Sequence, residues 1–122
     1  MRNFYTSLVL LVAMAFISPV HAANDFAEKH VVLQISDNDP FKQTLVLNVA
    51  NNLIKHYGQN KVDIEIVAFG PGLRLLFEAN VNSDRIKSLT TNNVAFSACG
   101  NTIEGMTKKL GHAPMLHANA KT

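Results

Sequence analysis

Cys99 is the one cysteine in the chain, and its neighbours place it where a thiol can act. Val94-Ala95-Phe96-Ser97-Ala98 reads as a short buried strand, and Asn101-Thr102-Ile103-Glu104 as a helix start. Asn101 is expected to cap that helix, with Glu104 at its third position completing a capping box. The free amides of a helix N-terminus carry partial positive charge and favour a thiolate over a thiol. Glu104 adds negative charge nearby and works against that effect. Two readings follow. Cys99 is a nucleophile at a strand–helix junction, or it is a buried structural thiol, as free cysteines often are. Exposure and pKa separate the two, and position alone does not.

Other groups offer weaker chemistry. Gly70-Pro71-Gly72 can bring backbone close to a ligand, but it lacks the spacing of a dinucleotide or P-loop motif and also reads as a tight turn. Arg74 lies just beyond it, as an anion partner at a loop mouth or as a solvated surface arginine. Asp37 and Asp39 would repel phosphate. They could hold a cation, yet helix capping accounts for Asp39 more simply. His112, His117, Met106, Met115 and Cys99 are soft ligand types that suit Cu(I), but no tight spacing links them. No metal and no cofactor is assigned. No serine–histidine–acid arrangement can be read from spacing. His30 and His56 have no partner visible in the sequence.

The elements that must position these residues alternate between strand and helix. His30 to Ile35 is a nearly continuous apolar strand, as expected of one covered on both faces. Asp39 is placed to cap the next helix with Pro40 at its first position. That helix is expected to reach Tyr57, burying Phe41, Leu45, Val49, Leu53 and Tyr57, flanked by Val46, Ala50 and Ile54, and to end at Gly58. Val62 to Phe69 is a second strand. Leu73 to Ala79 and Ser83 to Asn92 read as short helices, the latter capped by Ser83. Val94 to Ala98 is the third strand, and the helix after Cys99 ends near Gly111. The tail His112 to Thr122 shows no periodicity. The pattern predicts an α/β domain with a parallel sheet between helix layers. Ligands in such folds bind outside the carboxyl ends of the strands. Ser36 to Asp39, Gly70 to Gly72 and Cys99 to Thr102 all fall at that edge. Asp37, Gly70, Gly72, Arg74, Asn101 and Thr102 are therefore the candidates for the mouth around Cys99. Three strands make a small sheet, so the chain reads as short of its C-terminal strands, with an exposed edge at the third.

The N-terminus is expected to be removed. Arg2, the apolar run Leu8 to Ile17, and small residues at Val20 and Ala22 have the layout of a secretory signal peptide cleaved after Ala22. A transmembrane span needs about 20 apolar residues, more than this run provides. The expected location is the periplasm, with no membrane association once the leader is gone. Residues 23–122 then form one domain. The chain of 122 residues has eleven Lys and Arg against nine Asp and Glu. This near-neutral balance, without a basic run, gives no support for nucleic-acid binding. A lone thiol in an oxidising compartment is buried, paired between chains, or reactive.

Three stretches carry a resemblance: Val31-Val32-Leu33-Gln34-Ile35-Ser36, Val67-Ala68-Phe69-Gly70-Pro71-Gly72-Leu73, and Val94 through Thr102. Together they resemble the DsrE/DsrF-like family of sulfur-relay proteins, in its exported branch. The resemblance implies a flavodoxin-like α/β sandwich, usually oligomeric, with a cysteine that carries sulfur as a persulfide. The matching residue is Cys99. Family domains continue with a further strand, helix and terminal strand, so this chain is expected to be a C-terminally truncated copy. The expected function is that of a periplasmic sulfur carrier, at most a sulfurtransferase-like shuttle. Its partners would be donor and acceptor proteins or small thiols, and further copies of itself. The alternative is a noncatalytic module that holds a small ligand or soft metal at the same mouth.

Overall fold

The computed structural model describes residues 26–122, so the leader expected over 1–22 lies outside the described residues. Four parallel strands lie in the order β1 (Lys29–Ile35), β2 (Val62–Ala68), β3 (Val94–Ala98) and β4 (Ala120–Lys121). Helices α1 (Pro40–Tyr57), α2 (Ser83–Thr91) and α3 (Gly100–Leu110) connect them, with a 3₁₀ segment over Gly70–Leu76. The expected α/β class and parallel sheet are thus present. In register, Leu33 faces Ile66, which faces Phe96, which faces Ala120.

Helix α1 begins and ends as its sequence dictates. Asp39 Oδ1 accepts the Phe41 N–H at 2.8 Å, Pro40 occupies the first turn, and Gly58 closes the helix with its N–H on the Ile54 carbonyl. The buried face is a correction. Gln43, Val46, Leu47 and Ala50 are buried, while Phe41, Leu45, Val49 and Tyr57 remain exposed. The four-residue spacing alone identifies an apolar stripe, and the helix carries two. The chain path rolled the stripe containing Val46 and Ala50 onto the sheet. There these residues meet Ile64, Ile66, Leu75 and Ile86 in one core. Each such large side chain contributes roughly 1.5–3 kcal/mol on full burial.

The alternation along the strands shows where the core sits. Val62, Ile64, Ile66 and Ala68 are buried in β2, as are Val94, Phe96 and Ala98 in β3. Their neighbours on the opposite face are less covered. His30, Val32, Gln34 and Glu65 are exposed, and Val67, Ala95 and Ser97 are half-buried. Val32 is 69% exposed, so β1 is not covered on both faces as its apolar run suggests.

The tail is also a correction. It reads as irregular, yet Leu116 bridges Phe77 in antiparallel fashion, and His117 N–H donates to the Leu76 carbonyl at 2.8 Å. The Glu78 N–H donates to the Met115 carbonyl, and Ala120–Lys121 then pairs with Phe96 and Ser97. The sheet therefore does not stop at β3. Backbone groups of Leu76 to Glu78 and of β3 supplied the partners that hydropathy periodicity cannot reveal.

Candidate functional site

The three loops at the carboxyl ends of the strands are tied to one another. Phe69 N–H donates to the Ile35 carbonyl at 3.1 Å, and Cys99 N–H to the Ala68 carbonyl at 3.0 Å. Gly70 N–H donates to Thr102 Oγ1 at 2.9 Å. Gly70 has a φ of +54°, a conformation that glycine adopts without strain. Gly72 serves a different need. A Cβ there would fall on the Ile35 carbonyl and within 2.8 Å of Ser36 Cα. Gly72 is buried packing between loops rather than a ligand contact.

Cys99 itself is the N-cap of α3, and the helix starts at Gly100. This corrects the capping box. Asn101 stands at the second helical position, two residues too late to cap, and Glu104 instead pairs with Lys108 at 2.7 Å. The Cys99 carbonyl accepts the first helical bond, from Ile103 N–H at 3.0 Å. The half-buried thiol therefore occupies the place that a capping hydroxyl or carboxylate usually takes.

Its surroundings stabilise the thiolate. The Thr102 hydroxyl on the sulfur is the largest influence, followed by the Thr102 N–H. Partial burial opposes them, and the Asn101 N–H adds a smaller contribution in the same direction as Thr102. Together they hold the thiol below its ordinary value of 9.0. The Thr102 oxygen already accepts from Gly70, so its single proton is free to donate to sulfur. The Lys108 ion pair offsets the nearby charge of Glu104.

The Asp37 carboxylate is engaged by its near neighbours. It accepts the Asp39 N–H at 2.9 Å within the loop and the ammonium of Lys42, in the first turn of α1, at 2.6 Å. These two contacts, the Lys42 hydrogen bond foremost, hold its carboxyl below the usual 3.8. Arg74 is exposed and lines a cleft of about 600 Å³ between the 3₁₀ segment and α3. Gly70, Pro71 and Thr102 also line it, together with Phe77, Met106, Lys109 and Leu110. The sequence singles out Met106 only as a soft metal-ligand type, and it does not single out Phe77, Lys109 or Leu110. Thr102, Met106 and Lys109 recur at helical spacing on one face of α3, and that was the signal available.

Two further residues hold the loops in place. Gln43, 3% exposed, donates to the Asp37 carbonyl at 3.3 Å and accepts from Asn80 Nδ2 at 3.2 Å. Asn80 also donates to the Arg74 carbonyl at 2.9 Å. A polar residue on the same helix face as Val46, Leu47 and Ala50 was the visible clue to Gln43. Among the described residues, no group of three or more His, Cys, Asp or Glu comes together. His117 Nδ1 instead accepts the Asn119 N–H in the tail.

No helix among the described residues is long and apolar enough to cross a membrane. No family model matches the chain, and no curated protein matches it. Among solved structures, the chain is similar to MTH1491, a protein of unknown function from Methanobacterium thermoautotrophicum. The two share 26% identity and superpose with a TM-score of 0.65, covering 75% of this chain and 79% of the other. That protein has an α/β architecture of the same kind, and its likeness to this chain speaks to fold.

Proposed function

We propose that this protein is a periplasmic sulfur carrier of the DsrE/DsrF-like kind, working after loss of residues 1–22. The carrying observation is Cys99 as the N-cap of α3, its thiolate stabilised by the Thr102 hydroxyl and by the N–H groups of Thr102 and Asn101. The Cys99 thiolate attacks the outer sulfur of a donor persulfide. A new S–S bond forms at Cys99 as the donor S–S bond breaks, and the donor leaves as a thiolate that takes up a proton. An acceptor thiolate later attacks the terminal sulfur and restores Cys99. Sulfane sulfur changes carrier, with no net oxidant or reductant required.

The reading includes self-association. The exposed α1 stripe Phe41, Leu45, Val49 and Tyr57 supports it, as does the thinly covered sheet face around Val32. The cleft beside Thr102 favours a second reading, a module that holds a small ligand without transferring sulfur.

Intact-mass measurement separates the two. The purified protein is incubated with a low-mass persulfide, and then with reductant. A gain of one sulfur atom on Cys99, removed by reductant and absent in Cys99→Ser, is expected of the carrier. A protein that never takes up sulfur leaves the binding module standing.

A further inference from the structure

We propose that the cleft between the 3₁₀ segment and α3 binds a small organic anion with an apolar body, its carboxylate or sulfonate held by Arg74 and Lys109 and its carbon skeleton by Phe77, Met106 and Leu110. Both cations are exposed, and neither has an ion-pair partner among the described residues. No carboxylate lines the cleft. Glu104, the acid within α3, is already engaged by Lys108.

The composition of the walls selects the ligand. A purely apolar occupant would cover two charges without replacing their hydration, which costs free energy. A small inorganic anion would leave Phe77, Met106 and Leu110 facing water. An amphipathic anion satisfies both parts of the wall. The cleft volume of about 600 Å³ is suited to a small organic molecule. Thr102 connects this space to Cys99, because it lines the cleft and stands three positions along α3 from the thiol-bearing N-cap. The binding step stands without any sulfur chemistry. The assignment of the ligand as the small anionic thiol or persulfide that exchanges sulfur with Cys99 rests on the carrier reading.

The test is calorimetric titration of the purified protein with 4-phenylbutyrate, with 4-phenylbutanol and sulfate as comparators. The carboxylate is expected to bind about tenfold or more tightly than either comparator, the gain typical of charge-assisted hydrogen bonds. Arg74→Gln and Lys109→Gln should each weaken it about five- to tenfold, with Arg74→Lys recovering part of the loss. Added salt should weaken binding further. Both side chains are exposed, so the variants should melt with the parent. Equal affinity for the alcohol, or unchanged affinity in both glutamine variants, overturns the proposal. Cys99→Ser should bind phenylbutyrate as the parent does. If the parent binds the carboxylate but never takes up sulfur, the carrier reading fails and the cleft assignment stands. If it takes up sulfur but ignores phenylbutyrate, the cleft assignment fails and the carrier stands.

Discussion

The Thr102 hydroxyl is the largest of the influences that hold the Cys99 thiol below 9.0. The Gly70 N–H occupies the oxygen of that hydroxyl and orients it, so the loop after β2 bears on the thiol at the N-cap of α3. Alkylation rate against pH should show a midpoint below 9.0 in the parent protein. Thr102→Val should move that midpoint upward, and Thr102→Ser should leave it near the parental position. Parental behaviour in the valine variant would assign the effect to the helix amides alone. Cys99→Ser should abolish sulfur uptake while leaving the melting temperature equal or higher, because serine is the better N-cap. Gly72 is constrained by packing. Gly72→Ala should cost about 1–3 kcal/mol in denaturant unfolding, since the added methyl meets backbone that has no room to yield.

At the scale of elements, the loop from β1 into α1 is built on two carboxylates with separate tasks. Asp39 caps the helix, and Asp37 braces the loop through Lys42 and the Asp39 N–H. Asp39→Ala should destabilise the protein by about 1 kcal/mol, measured by urea unfolding. The Asp37 carboxyl is held below its ordinary 3.8 in the folded state. Its stabilising contribution is therefore complete above that value and is lost as pH falls through the lowered one. Acid unfolding of Asp37→Asn should consequently show less pH dependence below about pH 4 than the parent. An identical acid limb in both proteins would mean that the loop contributes nothing to acid stability. The pair formed by buried Gln43 and half-buried Asn80 ties this loop to the 3₁₀ segment, joining the β1 and β2 sides of the mouth.

For the whole molecule, the surface left over by folding is as informative as the core. Parallel sheets are ordinarily covered on both faces, and here Val32 and its neighbours keep one face open. The α1 stripe adds Phe41, at 75% exposure, on the outer side of the helix layer. Sedimentation velocity of the 23–122 chain should therefore report an assembly larger than one copy. Leu45→Asp combined with Val49→Asp should convert it to monomer without loss of helical signal. A parent that sediments as a monomer at all concentrations would remove self-association from the proposed function.

The sequence by itself determined the local steps: the strands around Val62 and Val94, the Asp39–Pro40 start of α1, the Gly58 and Gly111 stops, and the strand–helix junction at Cys99. Each depends on side chains within a few positions of one another, through capping bonds, fixed φ angles or alternation. Tertiary structure decided the rest. Which of two apolar stripes on α1 meets the sheet is a matter of chain path, since both have helical spacing. The tail becomes structure only because Leu76, Phe77 and Phe96 present backbone partners to residues 116–120, and such distant pairing leaves no periodic trace. The site divides in the same way. Cys99, Thr102 and Arg74 could be singled out in the sequence. The bond from Gly70 to Thr102 and the placing of Arg74 and Lys109 along one cleft arise between elements about 30 residues apart, and folding alone brings them together.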